Sequence, residues 1–404
     1  MTIKLFYDDA YLKEVAAKVE AVEANGKRIR VKLDRTIFYP EGGGQPSDKG
    51  VIKGEGFRIE VEKVYGEEEI WHEGLLTGRK PEIDEEVLLE LDWEWRYENM
   101  RQHTGQHILS AVLKDMYDSD TTGFQIFPEY NKIEINFDGE LTWEHVLAAE
   151  LEANEIVWAD LGVKTSFYDK LPEDMVPRKL LPDKVKGRIR IVEIPGVDVI
   201  PCGGTHVRRT GEVGFIKVLN FYRKSRNIWR IEFACGYRAL IQLEKILRDY
   251  WHSLDEMPNK NRPLVERVKE LKSEKESLEG EKKALRLELW EWKARTLLRE
   301  APEVKGIKVV SHMENVNMKD AQAFAIYLVE KNPGTIALIA GENYVLFAKN
   351  EGIEGISMKE LLRRVLERTG GGGGGSDNLA KGGGFKATPE EILKIALEEL
   401  KSLI

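Results

Sequence analysis

The chain has 404 residues, a hydrophobic content of 42% and a formal net charge of −9. That length suits two to four domains, no apolar run approaches the roughly 20 residues of a membrane span, and the acid excess excludes a uniformly basic nucleic-acid coat without excluding a local basic face. Two cysteines give no disulfide framework, and Met1–Tyr7 lacks the basic-then-apolar pattern of a secretory leader. A cytoplasmic location with no membrane partner is therefore expected.

Residues 1–92 read as a small β domain. Lys27–Leu33 and Phe57–Val64 alternate apolar and polar residues as half-buried strands do. Between them, Thr36-Ile37-Phe38-Tyr39-Pro40-Glu41-Gly42-Gly43-Gly44-Gln45-Pro46 places three glycines inside a stretch bounded by prolines. Such a loop admits close approach by a ligand or by another backbone, and it equally suits a plain hairpin connection.

At Trp93 the hydrophobic period changes. Trp93–Met100 leads into a helix over His103–Leu113, and His103 and His107 stand four residues apart on one face. A turn is expected at Ser119-Asp120-Thr121-Thr122-Gly123, then a strand at Lys132–Phe137 and a threonine-capped helix at Thr142–Val157. Strands near Val163–Tyr168 and Arg188–Ile194 follow, the second feeding the loop Cys202-Gly203-Gly204-Thr205-His206, and Ile216–Asn220 and Ile228–Phe233 complete an α+β unit ending near residue 239. His103, His107, Cys202 and His206 together offer three imidazoles and one thiolate, a borderline-soft set suited to one Zn²⁺ per chain. Three of the chain's seven histidines fall here. Downstream, His206–Arg238 is locally basic, with Arg208 and Arg209 foremost and Phe221, Tyr222 and Trp229 interleaved. That composition suits a phosphate backbone and an unstacked nucleotide, and it also suits a solvated face with ordinary ion pairs.

Leu240–Leu254 has helical spacing, and a break is expected at Pro258 and Pro263. Leu264, Leu271, Leu278, Leu285 and Trp292 then recur every seven residues, while Lys275 and Lys282 weaken the second stripe. The pattern predicts a helical arm over 240–302 rather than a continuous zipper. In 303–404, strands at Lys305–His312, Thr335–Ala340 and Tyr344–Ala348 surround a helix at Met318–Lys331, and a further helix occupies Met358–Thr369. The glycine run Gly370–Gly375 and the cluster Gly382–Gly384 are expected to form an ordered loop ahead of a last helix, Pro389–Leu403, capped by Thr388.

These motifs resemble a known family. His103-x-x-x-His107 and Cys202-Gly203-Gly204-Thr205-His206, with Val207-Arg208-Arg209-Thr210-Gly211-Glu212 after it, resemble the editing domain of alanyl-tRNA synthetases and their free-standing AlaX relatives. Phe38–Pro46 is similar to the glycine-rich segment of the β-barrel that precedes that domain, and the end of the chain resembles the synthetases' terminal domain. With only about ninety residues ahead of Trp93, no aminoacylation domain is expected, as in the long form of AlaX.

The resemblance implies an α+β multidomain fold: an N-terminal β-barrel (1–92), an α+β editing core with a zinc site (93–239), a helical arm (240–302) and a C-terminal α/β domain with a glycine-rich loop (303–404). It implies hydrolysis, in trans, of the ester of a mischarged tRNA(Ala), chiefly Ser-tRNA(Ala), with Gly-tRNA(Ala) as a second candidate. His103, His107, Cys202 and His206 carry over as metal ligands. Thr122, with Thr121 as its neighbour, is the candidate reader of the serine hydroxyl, and Gln45 is a further catalytic candidate. Gly42, Gly43, Gly44, Arg208, Arg209, Gly372, Gly373 and Lys381 are candidate contacts to substrate and tRNA, and the C-terminal domain is the candidate site of homodimer formation. Two other functions stay open: a non-catalytic tRNA-binding protein with a structural zinc, since four protein ligands close a tetrahedral site, and a metal-dependent hydrolase of a small ester or amide.

Overall fold

The computed structural model describes residues 1–173, 175–178, 188–257 and 262–404, which form two compact units, Met1–Glu256 and Met257–Ile404. No helix among the described residues is long and apolar enough to cross a membrane.

The first unit opens with β1 (Ile3–Lys4), β2 (Glu14–Asn25), β3 (Arg28–Leu33), β4 (Arg35–Thr36), β5 (Gly50–Gly54), β6 (Phe57–Tyr65), β7 (Trp71–Gly78) and β8 (Glu86–Leu91). Six of them close a barrel in the order β2-β3-β7-β6-β5-β8. Strand alternation explains its interior: Ile29, Val31 and Leu33 point inward and are buried, while Arg28 and Arg30 face outward. His72 is buried among them, 2.7 Å from the Thr36 hydroxyl and 3.2 Å from the Val31 carbonyl.

Helix α1 (Trp93–Tyr117) follows the barrel directly. The Asp92 carboxylate caps it by accepting from the Trp95 N–H at 3.1 Å. Arg96, without accessible surface, donates to Asp48 and to the carbonyls of Ile37 and Ala10, at 2.6 and 2.8 Å. A buried guanidinium requires such full pairing, and the pairing locks α1 to the barrel two turns before His103.

Beyond α1 come β9 (Thr121–Ile126), β10 (Asn131–Asn136), α2 (Trp143–Trp158), β11 (Lys164–Tyr168), β12 (Ile189–Ile194), β13 (Asp198–Pro201), β14 (Ile216–Ser225), β15 (Ile228–Cys235) and α3 (Gly236–Asp255). They build a four-stranded sheet, β14-β15-β10-β9, and a three-stranded one, β11-β12-β13. Val146, Ala149, Ala153 and Val157 of α2 share one core with Leu109, Val112 and Leu113 of α1 and Ile133 and Ile231 of the sheet. The turn expected at 119–123 is shorter than its composition suggests. Thr121 already begins β9, because pairing with β10 overrides the local turn signal.

In the second unit, α4 (Leu264–Glu300) is followed by β16 (Glu303–Val304), β17 (Ile307–Met313), α5 (Met318–Lys331), β18 (Thr335–Gly341), β19 (Tyr344–Lys349), α6 (Met358–Thr369), β20 (Gly372–Gly375), β21 (Leu379–Gly383) and α7 (Pro389–Leu403). The sheet order is β16-β17-β18-β19-β21-β20, and the β17–α5–β18 crossover makes its parallel pair. β18 is apolar throughout because it is covered on both faces. Ile336, Leu338 and Ala340 meet α6 and α7, and Ala337 and Ile339 meet α5.

The glycine run, expected as a loop, is ordered but pairs as the edge strand β20. Close packing explains alternate positions of the run: a Cβ on Gly373 would stand 2.5 Å from the Lys381 carbonyl oxygen and 3.1 Å from a Leu362 methyl of α6, whereas Gly372 and Gly374 face open space. Pro263 precedes α4 as its cap residue, whereas the break expected at Pro258 lies outside the described residues. Along α4, Leu271, Leu278 and Leu285 are exposed, Arg267 is buried near its start, and its last turns pack, with Trp290 against Phe324 and Tyr327.

Candidate metal centre

Two elements bring the donors together. Helical spacing stacks His103 and His107 one turn apart, ring centroids 5.0 Å from each other. β13, absent from the sequence-based expectation, delivers the loop that carries Cys202 and His206. The four ligand atoms lie within 4.8 Å of one another. Cys202 Sγ is 3.5 Å from His103 Nε2 and 3.3 Å from His206 Nε2. A tetrahedral ion with bonds of about 2.0–2.1 Å to nitrogen and about 2.3 Å to sulfur needs donor separations of about 3.3–3.6 Å. The donor set and the two separations measured from the sulfur fit a zinc ion.

The groups behind the donors fix which nitrogen faces inward. Gln45 Oε1 lies 3.1 Å from the Thr205 backbone N–H, which can only donate, so that end of the amide is the acceptor. The same oxygen is 2.8 Å from His103 Nδ1. His103 therefore carries its proton on Nδ1 and turns its Nε2 lone pair toward Cys202. Gln45 Nε2 in turn donates to the Thr205 hydroxyl at 2.8 Å. His206 Nδ1 meets the Thr104 hydroxyl at 3.1 Å, and His107 Nδ1 faces Asp198 Oδ2 at 3.4 Å. Arg178 grips Asp198 through two bonds, at 2.8 and 3.1 Å.

Two glycines are explained by this crowding. Gly204 lies against the His103 ring, where a Cβ would stand 2.1 Å from Cε1. Gly44 (φ +84°) lets the barrel loop lie on β9, where a Cβ would stand 2.3 Å from the Phe124 carbonyl oxygen. The same loop turns back on itself through reciprocal Gly42–Gln45 backbone bonds, with Gly43 also left-handed.

In the metal-free set, burial raises the Cys202 thiol, but the three imidazoles outweigh it and leave the thiol well below its usual range. Burial disfavours the His107 imidazolium, yet the Cys202 thiolate and Asp198 hold it up at about 9. His103 and His206 are both lowered, chiefly by burial. The other cysteine plays no part: burial pushes the Cys235 thiol up, and its sulfur packs under Gly105 of α1. Sequence reasoning missed Asp198, Thr104 and Arg190. Arg190 donates from one nitrogen to the carbonyls of Cys202 and Gly204, at 2.6 and 2.8 Å, and so holds the loop from beneath.

His103, His107 and Cys202 line one side of a cleft of about 570 Å³, which Gly42, Gly43, Thr121 and Thr122 also line, and His206 stands behind them. The Thr121 hydroxyl donates to Ser110 Oγ at 2.7 Å, and that of the exposed Thr122 donates to the Glu134 carbonyl at 3.2 Å. Gln45 and Gly44 stand behind the cleft surface. Arg208 pairs with Asp9 and lies over Tyr11, and Arg209 pairs with Asp160. Gly372, Gly373 and Lys381 belong to the second unit, where Lys381 Nζ reaches Gln322 at 3.3 Å.

Comparison with known proteins agrees with this architecture. Residues 3–95 match the family model for class II (A) tRNA synthetases, 189–232 that for the threonyl and alanyl tRNA synthetase second additional domain, and 306–404 the DHHA1 domain. Fold and site thus define a chain assembled from synthetase-type domains. It is 57% identical, over 100% of its own length and 99% of the relative's, to the alanyl-tRNA editing protein AlaX-L of Pyrococcus horikoshii, and it belongs to that family. Alanine–tRNA ligases of Archaeoglobus fulgidus and Methanococcus vannielii are 30% and 32% identical over 90% and 98% of this chain, which spans only 40% and 43% of those enzymes. Among solved structures, the C-Ala domain of Aquifex aeolicus alanyl-tRNA synthetase aligns with 25% of this chain and 97% of its own, at 23% identity and a TM-score of 0.24.

Proposed function

We propose that this chain is a cytoplasmic, trans-acting aminoacyl-tRNA deacylase. It hydrolyses the ester of Ser-tRNA(Ala), with Gly-tRNA(Ala) as a second substrate, at one zinc ion per chain held by His103, His107, Cys202 and His206. The observation that carries the proposal is the four-donor cluster, three of whose members (His103, His107 and Cys202) line an open cleft, in a chain matched end to end by an alanyl-tRNA editing protein.

Zinc bound there supplies Lewis acidity toward an ester carbonyl or a water molecule. The chain's own residues do the rest. Gln45 holds His103 in the tautomer that points Nε2 inward, and Thr104 and Asp198 stand against Nδ1 of His206 and His107. Arg190 fixes two carbonyls of the Cys202–His206 loop and so holds the loop that carries two of the donors. Thr122, with Thr121 beside it, reads the serine hydroxyl. Where the bound substrate covers Thr122, a serine hydroxyl pairs with it and alanine does not, a difference of about 1–3 kcal/mol that favours the seryl ester. In the 303–404 domain, Gly372, Gly373 and Lys381 contact the tRNA, and the same domain pairs two copies of the chain. Residues 1–92, 93–239 and 240–302 act as barrel, editing core and arm.

The completeness of the donor set also favours a second reading, a tRNA-binding protein whose zinc is structural. Mixing the zinc-loaded protein with seryl-, glycyl- and alanyl-tRNA(Ala) and measuring ester loss separates the two. The deacylase reading expects the seryl ester to disappear fastest and the alanyl ester to persist. Binding of all three without ester loss establishes the second reading instead.

A further inference from the structure

Beside the cleft, from its lining residue Tyr7 outward, aromatic rings and cations alternate. Lys4 and Tyr7 line the pocket, with Lys4 Nζ 5.6 Å from the Tyr7 ring centre. The Arg190 guanidinium lies 5.1 Å from the same ring. Phe167 meets Tyr7 edge-on at 6.1 Å, and the Arg188 guanidinium stands 5.3 Å over Phe167. Strand register produces the arrangement. Phe167 of β11 is directly opposite Arg190 of β12, so the two side chains share a face, and Arg188 precedes Arg190 by two residues.

The stair runs from solvent to the donors. At its outer end the Arg188 side chain is 64% exposed. At its inner end Arg190 holds the carbonyl of Cys202, and the Tyr7 hydroxyl lies 3.5 Å from where a Cβ on Gly203 would sit. Neither ring is fully buried, so each keeps accessible surface, although Tyr7 also packs against Phe6 of the barrel core.

We infer that this stair is the subsite for the unpaired 3′-terminal nucleotides of the substrate RNA, with bases stacking on Tyr7 and Phe167 and phosphates lying against Lys4 and Arg188. The inference rests on the deacylase reading for the identity of the RNA, and it adds the path by which that RNA enters. Base-on-aromatic stacking flanked by guanidinium groups is the physical mode by which proteins hold single-stranded RNA, and it suits a chain whose overall charge repels nucleic acid. The carboxylates of Glu41 and Glu67, which also line the pocket, repel phosphate and confine it to the stair. Arg190 then joins the two functions, since one nitrogen anchors the metal-ligand loop while the guanidinium lies 5.1 Å from the centre of the Tyr7 ring.

The test uses the full-length zinc-loaded protein and uncharged tRNA(Ala) carrying 2-aminopurine as its 3′-terminal base, whose fluorescence is quenched by stacking. Wild type should quench it on binding. Phe167→Ala and Tyr7→Ala should lose most of the quench and raise KM for seryl-tRNA(Ala) about tenfold, by more than they lower kcat and with zinc content retained. Tyr7→Phe should keep the quench, which controls for misfolding. Arg188→Gln should lower the slope of log Kd against log salt by about one. Wild-type quench and KM persisting in both alanine variants would overturn the subsite while leaving deacylation intact. Quench in wild type without ester loss would retain the subsite and remove the deacylase reading.

Discussion

Removing the Gln45 amide should loosen the metal site from behind, although this side chain touches no metal. In Gln45→Leu, two buried donors lose their acceptor together: His103 Nδ1–H, at 2.8 Å, and the Thr205 N–H, at 3.1 Å. Both residues are almost inaccessible, so water cannot replace the amide. Each orphaned donor costs about 1–3 kcal/mol, or about 2–6 kcal/mol for the pair. Part of that cost appears as lower stability. The rest appears as a freed His103 ring, and outer partners of metal-bound histidines are worth about 10–100-fold in metal affinity. Competitive zinc titration against a chromophoric chelator, beside thermal unfolding of the metal-free protein, reads both parts. Gln45→Glu keeps the acceptor oxygen and should lose less affinity than the leucine variant. The reasoning is refuted if Gln45→Leu binds zinc within twofold of wild type and unfolds at the same temperature.

Gly204→Ala should abolish stoichiometric zinc binding, because its Cβ would need the space of the His103 ring at 2.1 Å; metal analysis of the purified variant checks this, and a full equivalent of zinc would contradict it. Thr122→Val should shift the seryl-to-alanyl deacylation ratio by about ten- to a hundredfold toward alanyl; an unchanged ratio with a shifted one in Thr121→Val moves the hydroxyl reader one residue along β9. Burial lowers His72 from its ordinary 6.5 to about 4, so the folded barrel prefers the neutral ring. Its contribution is fully present above pH 6.5 and is lost as pH falls from 6.5 toward 4, by about 3 kcal/mol. Urea unfolding at pH 7 and pH 4.5 should show that loss in wild type and a smaller one in His72→Gln, and equal losses would contradict the assignment.

Much of the architecture was legible because local pattern and tertiary need agree. Alternation gave β3 and β6, the threonine cap gave the start of α7, and the His103–His107 spacing gave one helical face. What stayed hidden depends on contacts between distant residues. Gln45 and His103 are 58 positions apart, and only barrel closure and the Arg96–Asp48 pair bring the glycine loop onto α1. Asp198 lies in a short strand, β13, whose four residues are too few to show a period. Arg190 read as an ordinary strand residue, since no local pattern reveals that its end reaches two loop carbonyls. The glycines of β20 carry turn-like composition, yet they pair with β21, and at Gly373 the close approach of α6 leaves no room for a side chain.

X-ray absorption at the zinc edge of the stoichiometrically loaded protein tests the ligand assignment most directly. Three nitrogen neighbours at about 2.0–2.1 Å and one sulfur at about 2.3 Å are predicted, with the sulfur contribution lost in Cys202→Ala. A shell of nitrogen and oxygen alone, or a spectrum that Cys202→Ala does not change, would contradict the claim that His103, His107, Cys202 and His206 hold one ion.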